Sequence, residues 1–307
     1  MTTIGAIRMT ETGGPGVMAY GQHPLPVPGA DEILVRHHAI GVNFIDTYHR
    51  SGLYPVPLPS GIGLEAAGVV EAVGAEVTSL SVGDRVCYCS GPIGAYAEAH
   101  VIKAERAVAM PDWLAFDVAA ASLLKGLTVQ YLIRRIHACG PDDRVLFHAG
   151  AGGVGQIAVQ WLKALGSTVI ATAGGGEKCA IARDLGADHV IDYRDTPIAP
   201  AVREITGGVG VRVVYDGVGK DTWEASLDSL QPRGLMVSFG NASGPVNDVD
   251  LGILSAKGSL FVTRPTLVHY TMGREMLQAA ADDFFSALEK EHIKIPAPSV
   301  YSLKDAV

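Results

Sequence analysis

A regular alternation of short apolar strands and amphipathic helices, from about residue 122 to residue 263, constrains the fold more than any other feature. The strand pattern RVLFHA at 144–149 is followed by the helical pattern VGQIAVQWLKALG at 154–166 and the strand pattern STVIATA at 167–173. Such alternation predicts βαβ units, in which a parallel sheet carries helices on both faces. The pattern continues through HVIDY, VRVVYDGV, GLMVSFG and GSLFVT, and six strands of this kind predict a doubly wound nucleotide-binding sheet.

A glycine-rich turn, HAGAGGVG at 148–155, lies between the first strand and the first helix of this region. Gly150, Gly152 and Gly155 satisfy the pattern G-x-G-x-x-G. The pattern alone is weak evidence in a chain with 37 glycines, but its position between a strand and a helix is what a dinucleotide site requires. Glycine lets the backbone turn sharply and approach a pyrophosphate, and the helix N-terminus offers amide groups to the phosphates. We therefore predict a dinucleotide site, the alternative being a tight turn without a ligand.

The tip of the second strand indicates which dinucleotide is bound. In an NAD site this strand usually ends in Asp or Glu, which accepts hydrogen bonds from the ribose hydroxyls. Here STVIATA runs into Gly174, Gly175 and Gly176, and the next residues are Glu177 and Lys178. A small neutral tip leaves room for the 2′-phosphate of NADP, with which Lys178 pairs as a point charge. The sequence favours NADPH, unless Lys178 is only a solvated residue of the helix.

The first part of the chain is rich in short strand patterns that are separated by Gly, Pro, Asp and Ser. EILVRHHAIGV, EAAGVVEAVG and DRVCYC are examples, and the proline-rich YPVPLPSG is predicted to be a surface loop. We predict a β-rich barrel or sandwich here and an α/β protein overall. The predicted domains are 1–124, a nucleotide-binding domain at 125–264, and a return of 265–307 to the first domain.

Composition and charge exclude several classes of function. Hydrophobic residues make up 48% and charged residues 18%, which supports a folded core, and the net charge of -8 weighs against nucleic-acid binding. The first residues lack the apolar run of a signal peptide. The apolar segment at 118–124 is broken by Lys125 and Gly126, so no membrane span is predicted. We expect a cytoplasmic protein whose cysteines stay reduced.

The cysteine spacing predicts no metal site. Cys87 and Cys89 lie in a strand pattern, so their side chains are expected on opposite faces. Zinc sites usually contain C-x-x-C pairs followed by a second pair or by histidines, and neither arrangement follows here. Cys139 and Cys179 stand alone, and the ten histidines are scattered.

Several long stretches closely resemble the quinone oxidoreductases, the ζ-crystallin-like group of the medium-chain dehydrogenase/reductase superfamily. The resemblance implies a GroES-like catalytic domain, a Rossmann domain and a cleft between them. It also implies NADPH-dependent reduction of quinones by a homodimer that is paired through the edge strands of its Rossmann sheets. The matching stretches cover almost the whole chain and are GVNFIDTYHRSGLYP, KGLTVQYL, FHAGAGGVG, ITGGVGVRVVYDGVGKDTWEASLDSLQPRGLMVSFGNASG and GSLFVTRP.

Two departures from the zinc alcohol dehydrogenases of the same superfamily imply that zinc is absent. Those enzymes place a cysteine ligand where the similar stretch GVNFIDTY has Asn43. They also carry a Gly-His-Glu ligand motif, whereas GIGLEAAGVV has Leu64 before Glu65. Glu65 is then interpreted as a buried structural acid or a group that links domains.

The resemblance also assigns site residues to the matching positions. Asn43, Tyr48 and Tyr54 line the substrate pocket near the nicotinamide, and either Tyr48 or water donates the proton. Tyr48 and Tyr54 have a second interpretation as packing residues of the cleft wall, and Tyr193 as an aromatic that packs at a strand end. The implied cofactor-binding residues are Asn43, Thr128, Gly152, Gly153, Val154, Gly174, Lys178, Tyr193, Phe239, Gly240, Asn241 and Thr263.

Two alternative functions remain open at this level. An alkenal or enone reductase would use the same hydride transfer with a different acceptor. A crystallin-like or RNA-binding relative would retain NADPH with little turnover, although the acidic balance of the chain weighs against RNA. Relatives continue past Val307 with a further helix and strand and a basic residue near the adenine, so we expect either a truncated chain or cofactor binding with fewer cations.

Overall fold

The computed structural model describes residues 2–307 and divides them into two compact units. The first unit contains the chain up to Leu124 together with Thr271–Ala281 and Ile295–Val307. The second unit contains Lys125–Tyr270 and Asp282–Lys294. Each unit has its own hydrophobic core, as expected for a chain of this length.

The first unit is β-rich, as the sequence predicts. Its strands are β1 (Thr3–Met9), β2 (Met18–Pro24), β3 (Glu32–Gly41), β4 (Ser60–Gly61), β5 (Glu65–Val73), β6 (Arg85–Tyr88), β7 (Ala99–Lys103) and β8 (Val108–Ala109). They form two antiparallel sheets. The smaller sheet has the order β2-β1-β4, and the larger has the order β7-β3-β5-β6-β8.

Strand β3 is central to the larger sheet, because it pairs with both β5 and β7. Successive side chains of a strand point to opposite faces. Ile33 and Val35 are fully buried in a cluster with Tyr88, while Leu34 packs on the other face in a cluster with Ile4. The sheet is therefore covered on both faces, and each such side chain contributes roughly 1.5–3 kcal/mol of burial.

The second unit contains the predicted six-stranded parallel sheet, and its strand order confirms the doubly wound topology. The strands are β9 (Arg144–Phe147), β10 (Thr168–Ala173), β11 (His189–Asp192), β12 (Val211–Asp216), β13 (Leu230–Ser238) and β14 (Phe261–Thr263). Their order across the sheet is β11-β10-β9-β12-β13-β14, and all neighbours are parallel. The order reverses at β9, and ligands of open α/β sheets bind beyond the carboxyl ends of strands at such a switch point.

The helices of this region lie between successive strands, as the alternation in the sequence predicts. Leu146 of β9 lies opposite Ile170 of β10 and Val214 of β12, and all three are fully buried. The α-helices of the chain are α1 (Phe44–Ser51), α2 (Phe116–Gln130), α3 (Gly153–Ala164), α4 (Gly176–Asp184), α5 (Ile198–Ile205), α6 (Trp223–Ser229), α7 (Gly252–Ala256), α8 (Leu267–Tyr270) and α9 (Gly273–Glu289).

Lys125 and Gly126, which interrupt the apolar run in the sequence, lie within α2, and the helix continues as a π-helix to Ile136. Gly126 is needed for packing, since an added Cβ there would overlap the ring of Phe284. The resulting helix, Phe116–Ile136, is long and apolar enough to cross a membrane by length and composition alone. However, 67% of its most apolar segment is buried in the protein, as in the core helix of a globular domain.

Candidate functional site

The glycine-rich turn connects β9 to α3 at the carboxyl edge of the parallel sheet. Gly152 is the N-cap of α3, and the first turn of a helix has amide groups without intrahelical acceptors. An added Cβ at Gly155 would overlap the carbonyl oxygen of Ala149, and one at Gly150 would lie 2.8 Å from Cβ of Ala171. At Gly150 and Gly155 the turn is thus packed so tightly that only glycine fits. The N–H of Gly152 donates to the carbonyl of Ala149 at 2.8 Å, so the amides available to a phosphate are those in the first turn of α3.

A chain of buried hydrogen bonds supports the start of this turn. The backbone N–H of Ala149 donates to Oγ1 of Thr172 at 3.2 Å, and that hydroxyl lies 3.1 Å from Nδ1 of His148. On the other side, Nε2 of His148 lies 2.9 Å from Oγ of Ser226, which donates to Asp216 at 2.6 Å. The chain is satisfied by a neutral imidazole with its proton on Nε2. Burial agrees with this, because it lowers the pKa of His148 despite the nearby carboxylate of Asp216.

The carboxylate of Asp216 is the end of this chain and accepts three further bonds. Its Oδ1 accepts from the backbone N–H groups of Val218 and Gly219 at 2.8 and 3.0 Å. Its Oδ2 accepts from the hydroxyl of Thr222 at 2.7 Å. Asp216 is fully buried at the carboxyl end of β12, so one carboxylate holds the loops that follow both β9 and β12.

The tip of β10 is neutral in sequence but lies beside an acid from the next strand. Asp192, at the end of β11, accepts from the backbone N–H of Gly175 at 3.0 Å and from that of Arg194 at 3.1 Å. The bond from Gly175 is the main reason that the pKa of Asp192 is lowered. Lys178 lies in the first turn of α4 and is exposed, and Tyr193 is 53% exposed. Asp192 and Arg194 thus lie at this strand tip, although the sequence analysis did not single them out.

The residues predicted for the nicotinamide end lie at the carboxyl ends of β13 and β14. Phe239 follows β13 and packs its ring 5.9 Å from that of Phe147. An added Cβ at Gly240 would overlap the carbonyl of Gly217, so the loops after β12 and β13 approach closely there. Thr263 ends β14 and pairs with Val237 of β13.

Asn241 and Arg264 follow strands β13 and β14 at the same carboxyl edge. Asn241 follows Gly240 and its carbonyl accepts from the backbone N–H of Gly244 at 2.9 Å. Arg264 was not predicted, yet its Nη1 donates to the carbonyl of Ser238 at 2.8 Å and so fastens the end of β13.

Thr128 lies on α2 and is buried, with 8% of its surface exposed. Lys125 of the same helix is a further residue that the sequence prediction missed. An added Cβ at Gly153 would lie 2.9 Å from Cε of Lys125, so the stem of this lysine covers the first residue of α3. A positive charge here lies beside the amides that would bind a pyrophosphate.

In the first unit, Asn43 is the N-cap of α1 and is buried. Its Nδ2 donates to Oε2 of Glu65 at 2.6 Å, and its backbone N–H donates to Asp46 at 2.9 Å. Glu65 is fully buried and also accepts from the backbone N–H of Leu124 at 2.7 Å. These contacts fit the interpretation of Glu65 as a buried structural acid.

Tyr48 and Tyr54 belong to an aromatic group on and after α1. Tyr48 lies edge-on between two neighbours, with ring centroids 5.4 Å from Phe44 and 5.1 Å from Tyr54. His49 lies 6.1 Å from Tyr54, and burial lowers the pKa of His49. Phe44 is 59% exposed, so the group presents aromatic surface at one end. The three predicted substrate-pocket residues of this unit, Asn43, Tyr48 and Tyr54, are therefore close together on one helix and the turn after it.

Comparison with known proteins places this arrangement in a family. Residues 29–112 match the alcohol dehydrogenase GroES-like domain, and residues 153–287 match the zinc-binding dehydrogenase family. A quinone oxidoreductase of Pseudomonas aeruginosa is 54% identical over 301 residues, which are 98% of this chain and 93% of the relative. The chain belongs to the quinone oxidoreductases of the medium-chain dehydrogenase/reductase superfamily.

Two other members of the superfamily extend the comparison. The crystal structure of Escherichia coli quinone oxidoreductase complexed with NADPH is 51% identical, with a TM-score of 0.96 over 98% of this chain and 94% of that chain. A 2-haloacrylate reductase of Burkholderia is 43% identical over 96% of this chain and 90% of its own length. The family thus confirms the predicted GroES-like and Rossmann folds and includes a member that binds NADPH.

The absence of zinc stays a prediction, although the family model for residues 153–287 carries zinc in its name. Among the described residues, one group of potential metal ligands has its atoms within 4.8 Å of one another, and it consists of His137, Cys139 and Asp143. Those atoms already have partners, because His137 lies 2.8 Å from Asp143, and Sγ of Cys139 lies 3.3 Å from the hydroxyl of Tyr215. Burial raises the pKa of Cys139 to about 12, which keeps the thiol protonated.

Within the second unit, the residues fit a dinucleotide. The turn at Gly150–Gly155 provides a cradle that any Cβ would fill, and the tip at Gly174–Gly176 has two cations near it, on Lys178 and Arg194. All four cysteines of the chain are buried and free of disulfides.

Proposed function

We propose that this chain transfers hydride from NADPH to quinones. The observation that carries the proposal is the glycine cradle at the switch point of the sheet, in a chain 54% identical to a quinone oxidoreductase. NADPH, when bound, supplies the hydride from its nicotinamide ring. The protein then has to bind the cofactor, orient the acceptor and stabilise the negative charge that develops on the acceptor oxygen.

The second unit supplies the cofactor-binding residues in this proposal. The turn at Gly152 and the amides of Gly153 and Val154 hold the pyrophosphate, supported by the charge of Lys125. The N–H of Gly152 itself donates to the carbonyl of Ala149 at 2.8 Å. Gly174, Lys178 and Tyr193 surround the 2′-phosphate and the adenosine. The nicotinamide is bordered by Thr128, Phe239, Gly240, Asn241 and Thr263. The close packing of Gly240 on Gly217 and the bond from Arg264 to Ser238 support this assignment, because they hold the loops rigidly.

The first unit supplies the substrate-binding residues Asn43, Tyr48 and Tyr54. We assign the stabilising hydrogen bond, and the proton, to the hydroxyl of Tyr48. Nδ2 of Asn43 carries two protons and gives one of them to the buried carboxylate of Glu65, so at most one is left for an acceptor. The aromatic neighbours of Tyr48 offer flat surfaces on which a planar acceptor stacks.

A second candidate acceptor class is a conjugated alkene, such as an enone or an acrylate. The 43% identity to 2-haloacrylate reductase over nearly the whole chain supports conjugated alkenes as a candidate class of acceptor. The hydride step is the same, so the acceptor pocket alone decides between the two classes.

The test is oxidation of NADPH and NADH with 1,4-benzoquinone, 9,10-phenanthrenequinone and an enone, by the wild type and by Lys178→Ala. We expect quinone-dependent oxidation with a preference for NADPH, and a loss of kcat/KM for NADPH of at least about tenfold in the variant, since a charge-assisted contact is worth roughly 1.5–3 kcal/mol. Lys290→Ala removes the same charge from an exposed position elsewhere and should change nothing. Oxidation with the enone alone would favour the second candidate, and binding without turnover would indicate a non-catalytic protein.

We also propose a homodimer that is paired through an edge of the parallel sheet. Strand β14 forms one edge, and Phe261 on it is 61% exposed, which is unusual for a large apolar side chain. Sedimentation equilibrium should give twice the 32.1 kDa mass of the chain. Phe261→Glu should shift the mass to that of one chain, whereas His189→Glu on the opposite edge strand should not. A wild-type mass of one chain would refute the proposal.

For the setting of the reaction we propose the cytoplasm, where free buried cysteines persist. The net charge of -8 supports a small-molecule substrate rather than a nucleic acid, and two-thirds burial of the most apolar helix supports a role away from membranes.

A further inference from the structure

We propose that Arg194 binds the 2′-phosphate of NADPH beside Lys178 and is a main determinant of the preference for NADPH over NADH. This inference rests on the proposed function. Arg194 lies in the loop after β11, sixteen positions along the chain from Lys178, and no sequence pattern indicates its role.

The side chain of Arg194 lies directly over the glycines at the tip of β10. Its Nη1 is 2.9 Å from the place where a Cβ on Gly175 would stand, and its Nε is 3.2 Å from the corresponding place on Gly174. In NAD sites an acidic side chain occupies this strand tip and accepts from the ribose hydroxyls. Here a guanidinium occupies the same region, and it attracts a phosphate instead.

The loop that carries Arg194 is fastened to the tip through Asp192. One carboxylate accepts from the backbone N–H of Gly175 at 3.0 Å and from the backbone N–H of Arg194 at 3.1 Å. Both bonds are made by backbone groups, so they set the position of the loop and leave the guanidinium available. The position of Arg194 relative to the tip is therefore built into the fold.

The charge of Arg194 is not neutralised by an ion pair anywhere among residues 2–307. The side chain is exposed, and its charge is close enough to Asp192 to add to the lowering of that carboxyl's pKa, which is due first to the backbone bond from Gly175. Lys178 lies in the first turn of α4, so the two cations flank one region. A guanidinium adds planar, bidentate hydrogen bonding to the point charge of a lysine, which suits a phosphate dianion.

The glycines make this arrangement possible. An added Cβ at Gly174 would lie 2.5 Å from the hydroxyl of Tyr193, and Gly175 has a φ of +89°, which favours glycine. A larger residue at either position would displace Tyr193 or Arg194. The small tip is thus explained by the two side chains that pack over it as well as by the room that a phosphate needs.

The test is calorimetric binding of adenosine 2′,5′-bisphosphate and of 5′-AMP, which differ only in the 2′-phosphate, so no turnover is involved. We expect Arg194→Ala to weaken binding of the bisphosphate at least about tenfold and to leave 5′-AMP unchanged. Arg194→Lys should recover part of the lost affinity for the bisphosphate, because lysine restores the positive charge without the planar, bidentate hydrogen bonding of a guanidinium. Arg183→Ala, at the other end of α4, removes an exposed arginine of the same helix and should bind both ligands as the wild type does.

Two results would overturn the inference, and they are distinguishable. If Arg194→Ala keeps the full preference for the bisphosphate, or weakens both ligands equally, the assignment of Arg194 is wrong while NADPH use stands. If the wild type itself binds both ligands equally, the NADPH assignment fails and this inference fails with it. Thermal unfolding of each variant checks that the exposed substitution leaves the fold intact.

Discussion

Gly155→Ala should weaken NADPH binding at least about tenfold and lower the free energy of unfolding by roughly 1–3 kcal/mol, the cost of overpacking a tight interior contact. The new methyl group would overlap the carbonyl oxygen of Ala149 and stand 2.8 Å from Cα of Gly150. Both contacts are backbone, which cannot move aside as a flexible side chain does. Relief therefore requires α3 to move away from the turn, and its amides move away from the pyrophosphate with it.

The measurement is a fluorescence titration with NADPH beside a urea unfolding curve. Gly140→Ala is the matched control, because no atom lies within 4 Å of the place where its Cβ would stand. The control should bind NADPH with wild-type affinity. If Gly155→Ala binds NADPH as tightly as the control, the turn does not hold the pyrophosphate in the way proposed here.

Asp216→Ala should cost about 3 kcal/mol or more of folding free energy, the largest stability effect that we expect from a single substitution. The carboxylate is fully buried and accepts from the amides of Val218 and Gly219 and from the hydroxyls of Thr222 and Ser226. Removing it leaves the two amides without an acceptor, at roughly 1–3 kcal/mol each. The two hydroxyl groups can rotate toward other acceptors, so the loss of their bonds to Asp216 costs less folding free energy than the loss of the amide bonds.

Urea unfolding midpoints measure this loss, and two further variants sharpen the result. Asp216→Asn should be milder, since its amide oxygen still accepts from the two backbone groups while Thr222 and Ser226 turn to accept from its nitrogen. Asp221→Ala removes an exposed carboxylate from the same loop and should stay within about 0.5 kcal/mol of the wild type. Equal stability of Asp216→Ala and Asp221→Ala would show that the buried chain of hydrogen bonds contributes little.

Local patterns were enough to predict the parallel sheet and the place of the dinucleotide. The strand at β9, the glycines after it and the helix α3 are neighbours in the chain, so the physics that relates them acts within about twenty residues. The packing role of Gly126 is not a local feature. It lies inside α2, and the ring of Phe284, which is distant in the sequence, fills the space where its Cβ would stand.

The buried hydrogen bonds around the proposed site join residues that are far apart in the sequence. His148 meets Ser226 across 78 positions, and Asn43 meets Glu65 across 22. Asp192 and Arg194 reach the tip of β10 only because β11 pairs beside β10 in a parallel register. No periodicity or spacing encodes such pairings, because a polar side chain in a strand or loop has the same local pattern whether it is solvated or buried against a partner.

By itself, then, the sequence determined the class of the fold and the glycine-rich turn between β9 and α3, since these follow from short-range backbone preferences and hydrophobic periodicity. The strand order, and with it the switch point, came from the tertiary structure. Only the tertiary structure decided which buried polar groups satisfy one another and which cations lie over the strand tip. The physical reason is that burial makes each unpaired polar group costly, so partners are selected by three-dimensional proximity after the backbone has folded.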